Sequence, residues 1–414
     1  MTWSGPTPGA RPVGPGFSPL DEELGLLPGA LTPTLQAHLS RLGSRLSFAE
    51  AASELGYLKG VRVAAATARR RTEADGALYA ALQDAAAVHL LVDPPPPRRG
   101  PATQQVSVDG AMVPLVDGSW REVRTLAIGT VVPGRQPGTV RCEDLSYFSR
   151  LCDAERFLTV AAGEIHRRGV ETAGRVALVV DGADWEQTFG DVHCPAAVRI
   201  LDFPHGAQRL SDLAEAVWEA QETGRVWAAA QRGELRDGTP EAVLAAIRAL
   251  PLTAARDTAA AGRVQAEVVG YLEPRLEQLR YAAFRAQGLP IGSGIVESAN
   301  KLVVEARLKG AGRRWAEAHV TPMVALRGAL CSERWEEAWT AIATARRVHC
   351  SPPAVPMVAP LTSAASVAAP RRRPHPPASP AVPRSGPKTI VHGRPTARHP
   401  WKRFPIVPSS PAKL

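Results

Sequence analysis

Four consecutive prolines, inside Asp93-Pro-Pro-Pro-Pro-Arg-Arg-Gly-Pro101, constrain this chain more than any other stretch. Proline lacks an N–H and has a fixed φ, so neither a helix nor a central strand crosses such a run. The residue pattern also changes across it. Before it, apolar residues recur at helical spacing; after it, they alternate or cluster as in strands. Residues 93–103 therefore read as a stiff linker between a helical domain over 18–92 and an α/β domain over 104–345.

In the helical part, Leu35, Leu39 and Leu42 share one helix face. Ser47 and Glu50 have the spacing of a capping box opening the next helix. Gly56 is expected to interrupt that helix, with another beginning near Val63. Helix, short glycine-bearing turn, helix is the helix-turn-helix pattern. Its second helix carries Thr67, Arg69, Arg70 and Arg71, side chains suited to phosphates and to guanine edges in a DNA major groove.

Beyond the linker the pattern predicts strands at 104–109, 122–131, 139–143, 175–181 and 197–202, then helices over most of 205–232, 240–250 and 257–287. Two of these strands end in the same dipeptide. Val106 and Val108 lead to Asp109-Gly110, and Val176 to Val180 lead to Asp181-Gly182, 72 positions later. Neighbouring strands ending this way would set two carboxylates side by side, the outline of a metal site. The fold class expected is an α/β, RNase-H-like mixed sheet with a helical insertion over about 206–288.

A third block, Gly288 to Val320, contains Gly292-Ser293-Gly294 and then Glu297 in the first turn of a helix expected to run to Leu308. Glu297, Lys301, Val304 and Leu308 would share one face of it. Lys301, Arg307, Lys309, Arg313 and Arg314 form a basic segment suited to clamping phosphates. Trp185 and Trp315 read as core packing. Among other carboxylates, Asp117 belongs to a turn, Asp184 lies past the strand end, and Asp202, which also ends a strand, competes with Asp181 for the second position.

The blocks Ser107-Val-Asp-Gly-Ala-Met-Val-Pro-Leu115, Val179-Val-Asp-Gly-Ala-Asp-Trp-Glu-Gln187, Arg199-Ile-Leu-Asp-Phe-Pro-His205 and Ile291-Gly-Ser-Gly-Ile-Val-Glu-Ser298, with Lys309-Gly-Ala-Gly312 downstream, occur in order. Together they resemble the DDE transposases of bacterial insertion sequences, in the ISKra-type group, over about residues 18–341. The resemblance implies that Asp109, Asp181 and Glu297 are a catalytic triad holding two Mg²⁺ or Mn²⁺ ions. It implies that Asp202 and His205 organise DNA near the cut, and that the partner is double-stranded DNA, bound by a homo-oligomer that nicks element ends and joins them to a target. It also leads one to expect a Cys-rich zinc-binding segment before Pro19 and an end soon after Trp339, so the chain reads as N-terminally truncated and C-terminally extended. A remnant that binds DNA without cutting it is the alternative, and a ribonuclease or junction nuclease that cuts without joining is a third.

Composition narrows the remaining classes. At 414 residues and 45% hydrophobic content a sizeable core is possible. No apolar run has the length of a membrane span and the N-terminus lacks a signal-peptide core, so a cytoplasmic, nucleoid-associated protein is expected. The five cysteines show no metal-ligand spacing and read as free thiols. The net charge of +9 is owed to residues 351–414, which hold ten Lys and Arg and no Asp or Glu. With 16 prolines and few large apolar residues, that stretch is expected to be disordered, together with 1–17.

Overall fold

A computed structural model describes residues 31–350, except 137 and 220, and a two-stranded ribbon of β6 (Ile390–Val391) and β7 (Arg394–Pro395). The expectations for 1–17 and for the remainder of 351–414 lie outside the described residues. Helix α1 (Pro33–Arg45) is capped by Thr32. Helix α2 (Phe48–Lys59) opens on the expected capping box, in which Glu50 N–H donates to Ser47 Oγ and Ser47 N–H to Glu50 Oε2. It runs through Gly56 and stops at Gly60, whose φ of +68° suits the left-handed cap that only glycine adopts cheaply. Helix α3 (Ala65–Val92) follows and is 28 residues long.

Strands β1 (Gln104–Pro114), β2 (Trp120–Pro133) and β3 (Val140–Arg150) form an antiparallel meander. Helix α4 (Ala154–Arg167) crosses to β4 (Val176–Val180), and α5 (Asp184–His193) crosses to β5 (Val198–Leu201). Both β4 and its neighbours run parallel, and the sheet order is β3-β2-β1-β4-β5. The chain is thus α/β with a five-stranded mixed sheet and many helices. Strand β1 was expected to stop at Asp109. It continues because β2 pairs with it along its whole length, from Gln104 opposite Thr130 to Pro114 opposite Trp120. Asp117 lies in the connecting turn, as expected, and accepts the Ser119 N–H.

After β5 come α6 (Phe203–Trp218), α7 (Glu222–Asp237), α8 (Pro240–Arg248), α9 (Thr258–Leu272), a 3₁₀ stretch (Glu273–Leu279) and α10 (Tyr281–Ala286). The helical stretch expected over most of 205–232 is made of two helices, α6 and α7, separated near Glu219 at φ +52°. These helices bury Leu210, Leu213, Ile247, Leu272 and Tyr281 against Ala177, Val179, Ile200 and Leu201 of β4 and β5. On the other side of the sheet, Val106, Val108, Leu178 and Val180 pack on Phe157, Ile165 and Phe189 of α4 and α5. Each such fully buried Leu or Phe is worth roughly 1.5–3 kcal/mol, so the sheet is held from both faces.

Helix α11 (Gly294–Ala299) continues through a π-helical stretch (Asn300–Glu305) and a last turn (Ala306–Leu308). It packs under β1 and β2 with α12 (Glu317–Cys331). Helix α13 (Trp335–Cys350) closes this side and runs past residue 345, where the α/β domain was expected to end. The proline run marks a change of element type rather than a gap between cores. Buried Asp75 of α3 accepts from Gln36 and Ser40 of α1 and from Arg346 of α13, and Gly76 of α3 lies directly against the Pro322 backbone of α12. Among the described residues, no helix is long and apolar enough to cross a membrane.

Candidate functional site

The register of β1 against β4 pairs Gln104 with Val176 and Val106 with Leu178, an offset of 72 residues. Asp109 and Asp181 differ by the same 72, so parallel pairing carries both carboxylates to the same level of the sheet. Asp109 remains inside β1, opposite Thr125 of β2. Asp181 stands where β4 ends and Gly182 turns the chain, at φ +93°. A Cβ at Gly182 would come within 2.8 Å of Leu201 and 2.9 Å of Arg275, so this turn needs glycine twice over.

A third acid joins them from α5. Ligand oxygens of Asp109, Asp181 and Glu186 all lie within 4.8 Å of one another. Glu186 is 1% exposed, and its Oε2 accepts the N–H groups of Gly182 (3.1 Å) and Ala183 (3.2 Å). Asp181 Oδ1 accepts the Ala183 N–H at 3.0 Å. Asp109 accepts its neighbouring Gly110 N–H at 2.6 Å and the Asn300 amide at 2.8 Å. Burial first, then its Asp181 and Asp109 neighbours, push the Glu186 carboxyl up to about 10. Burial likewise raises Asp109, with Asp181 adding to it against the Gly110 and Asn300 hydrogen bonds. The cluster is short of positive charge, as a cation site with hard oxygen donors would be.

Asp202 does not enter this group. It caps α6, where Oδ2 accepts the His205 N–H (3.0 Å) and lies 2.7 Å from His205 Nδ1, while Oδ1 accepts the Ser293 N–H at 2.6 Å. Burial raises its pKa, but the His205 and Ser293 hydrogen bonds outweigh this and hold it below the usual carboxylate range. The same Asp202 bond raises His205, with smaller contributions from Asp181 and Asp109. Asp202 thereby ties the end of β5 to the loop that launches α11.

Glu297 is half-buried in α11 and lies outside the three-carboxylate group; Asn300, which opens the π-helical stretch, hydrogen-bonds Asp109. The face expected from Glu297, Lys301, Val304 and Leu308 is altered by the π-helical stretch. Its wider turn leaves Lys301 exposed and turns Asn300, Val303, Val304 and Arg307 inward. The Asn300 side chain is 6% exposed, and its Oδ1 has no hydrogen-bond partner.

Of the basic residues singled out, Arg69, Arg70, Lys301, Arg313 and Arg314 are exposed, Arg71 is half-buried, and Lys309 pairs with Glu305 at 2.6 Å. Arg307 is a correction. It is 3% exposed, lies over the rings of Phe48 and Trp315, and donates to the Gly43 carbonyl, so it cannot reach a DNA backbone. Its burial joins α11 to α1 and α2, a role set by tertiary packing. Trp315 is buried and Trp185 packs edge-on against Phe157.

Sequence reasoning missed Glu186 and Asn300. The signal for Glu186 was local: a glutamate at the third position of a helix that starts just past a strand-end aspartate. Asn300 gave no such signal, because its inward turn depends on the π-helical stretch.

Neither a scan against protein-family models nor a search of curated proteins finds a match to this chain.

Proposed function

We propose that this protein is a metal-dependent phosphoryl-transfer enzyme acting on double-stranded DNA, a DDE transposase on an RNase-H-like fold. The observation that carries the reading is the 72-residue register, which sets Asp109 and Asp181 at one level of adjacent parallel strands. The mixed sheet order with β1 at its centre is compatible with that fold, and the four ordered sequence blocks supply the resemblance.

The donor set fits divalent ions. Its carboxylate oxygens are hard ligands and crowded, with Glu186 buried and the two aspartates half-buried, and among the described residues no Lys or Arg pairs with them. Asp109 and Asp181 would hold Mg²⁺ or Mn²⁺ with Glu186 beside them, and Glu297, which lies outside this group, enters as third ligand on the sequence resemblance alone. When bound, such ions activate an attacking water or 3′-hydroxyl and stabilise the leaving oxygen. The chain's own residues orient this chemistry. Asn300 and the Gly110 N–H fix the Asp109 carboxylate, and the Ala183 N–H fixes that of Asp181. Asp202 holds His205 at the rim through a hydrogen bond. Exposed arginines at the start of α3 supply sequence-independent attraction to DNA, and joining two ends calls for two copies of the chain.

The test is cleavage and joining of DNA carrying the element's ends by the full chain in Mg²⁺, beside Asp109→Asn, Asp181→Asn and Glu297→Gln. Cut and joined products that vanish in all three support the triad. A folded wild type that binds the ends yet neither cuts nor joins them is the DNA-binding derivative instead, and a fully active Asp109→Asn sinks the catalytic reading.

A further inference from the structure

The helical insertion brings a second charged feature to the edge of the carboxylates. Tyr271, at the end of α9, donates its hydroxyl to the Asp181 carbonyl at 2.5 Å. Two guanidinium groups lie over its ring, Arg209 of α6 at 4.7 Å and Arg275 of the 3₁₀ stretch at 4.9 Å from the centroid. Arg275 donates to the Gly182 carbonyl and to the Tyr271 carbonyl, each at 2.8 Å. Among the described residues neither arginine pairs with a carboxylate. Asp212, three residues beyond Arg209 on α6, accepts from Gln208 at 2.7 Å. His205 stands one turn before Arg209 on the same side of α6.

Two guanidinium groups on one ring concentrate positive charge beside the carboxylates. An anion within reach of both would gain from each. The Asp181-Gly182 turn fixes where such an anion would lie: Arg275 is bonded to Gly182 and Tyr271 to Asp181, so the pair is anchored to the same turn that carries the carboxylate. Buried Leu210 and Leu272, adjacent in sequence to Arg209 and Tyr271, seat both elements in the insertion core.

We propose that Arg209 and Arg275, mounted on Tyr271, form a phosphodiester clamp that grips the DNA strand next to the bond held at Asp109 and Asp181. This rests on the phosphoryl-transfer reading of the carboxylates, and it gives the insertion a role, which is to bring cations to a site whose own acids repel DNA. Guanidinium forks suit phosphate oxygens, and a strand supplies successive phosphates for the two arginines.

The experiment measures binding of a short random-sequence DNA duplex by the full chain in EDTA across a salt series, for wild type, Arg209→Ala, Arg209→Lys and Arg275→Gln. Arg209 is exposed and makes no described hydrogen bond, so its variants test the clamp without disturbing the fold, which a thermal melt checks. The expected result is on the order of tenfold weaker binding for Arg209→Ala. Its slope of log affinity against log salt should be shallower by about one, with partial recovery in Arg209→Lys.

Wild-type affinity and slope in Arg209→Ala and Arg275→Gln overturn the clamp, while DNA binding and Mg²⁺-dependent cutting by the wild type leave the reading of the carboxylates standing. A wild type that binds no duplex at any salt overturns both. Inorganic phosphate that displaces the duplex from wild type but not from Arg209→Ala, at matched ionic strength, makes the site a free-phosphate pocket and overturns the strand assignment.

Discussion

Two buried glutamates of this protein live under opposite electrostatic rules. Glu164 of α4 is 4% exposed, and both arms of the Arg167 guanidinium and the Arg334 guanidinium bond it. Burial raises its pKa, but the Arg167 hydrogen bonds and the Arg334 charge outweigh burial, and the net shift is downward. Glu186 of α5 is 1% exposed and has two backbone N–H donors and two aspartates for neighbours. Its pKa moves the other way, to about 10. Where a buried carboxylate only holds the fold, this chain supplies arginines; at the Asp109 and Asp181 level it supplies more acid. Crowding acids without a counter-charge costs stability, by like-charge repulsion or by holding one of them protonated, and such clusters point to function.

The largest expected effect breaks the functional half of the contrast. Asp109→Asn or Asp181→Asn should lower Mg²⁺-dependent DNA cleavage on the order of 10³-fold or more while leaving a normal melting curve. A retained rate would mean that the acid cluster is a packing accident.

On the structural half, Glu164→Ala should cost about 3 kcal/mol in denaturant unfolding, because Arg334 and Arg167 lose their buried counter-charge. Divalent ion then separates the two. Millimolar Mg²⁺ at a hundredfold excess over its dissociation constant should stabilise the wild type by about 2.7 kcal/mol, an effect removed by EDTA and absent in Asp181→Asn. Glu164→Ala should keep the whole of that gain. An equal Mg²⁺ shift in Asp181→Asn would place the ion elsewhere.

Acid sharpens the comparison further. The Glu164 carboxyl titrates below its ordinary 4.5 in the folded state. Its stabilisation is therefore complete above that value and is lost as the pH falls through the lowered one. The wild-type melting temperature should drop over that acidic window, and Glu164→Gln should lack this part of the drop. The smallest effect is expected from Glu186→Gln. A carboxyl that holds its proton at neutral pH is well imitated by an amide, so unfolding without metal should change by no more than about 1 kcal/mol. A loss matching that of Glu164→Ala would show Glu186 to be an ionised structural acid, and the contrast would collapse.

Much of the sheet was legible before the structure. The apolar runs at Val106 and at Val176 to Val180, each closed by Asp-Gly, located two strands, and Ser47 with Glu50 located a helix start. Less legible was the length of β1, because a strand with an antiparallel partner continues past a glycine that would end it alone. The helix face of α11 was misread for a related reason: a π-helical stretch is stabilised by what it packs against, here β1 and α12, and leaves no period in the sequence.

By itself, the sequence determined what short-range backbone rules control: where several strands and helices begin, the turn at Gly182 after β4, and where the basic charge is concentrated. It also determined the 72-residue spacing of the two aspartates. Only the tertiary structure decided that the sheet register equals that spacing, and that Glu186 rather than Glu297 lies within 4.8 Å of both. It alone turned Asn300 onto Asp109, buried Arg307 between two rings, and set Arg209 and Arg275 on one tyrosine. These contacts join residues up to 259 positions apart, Phe48 and Arg307. Their geometry follows from how whole elements pack, and no local pattern encodes it.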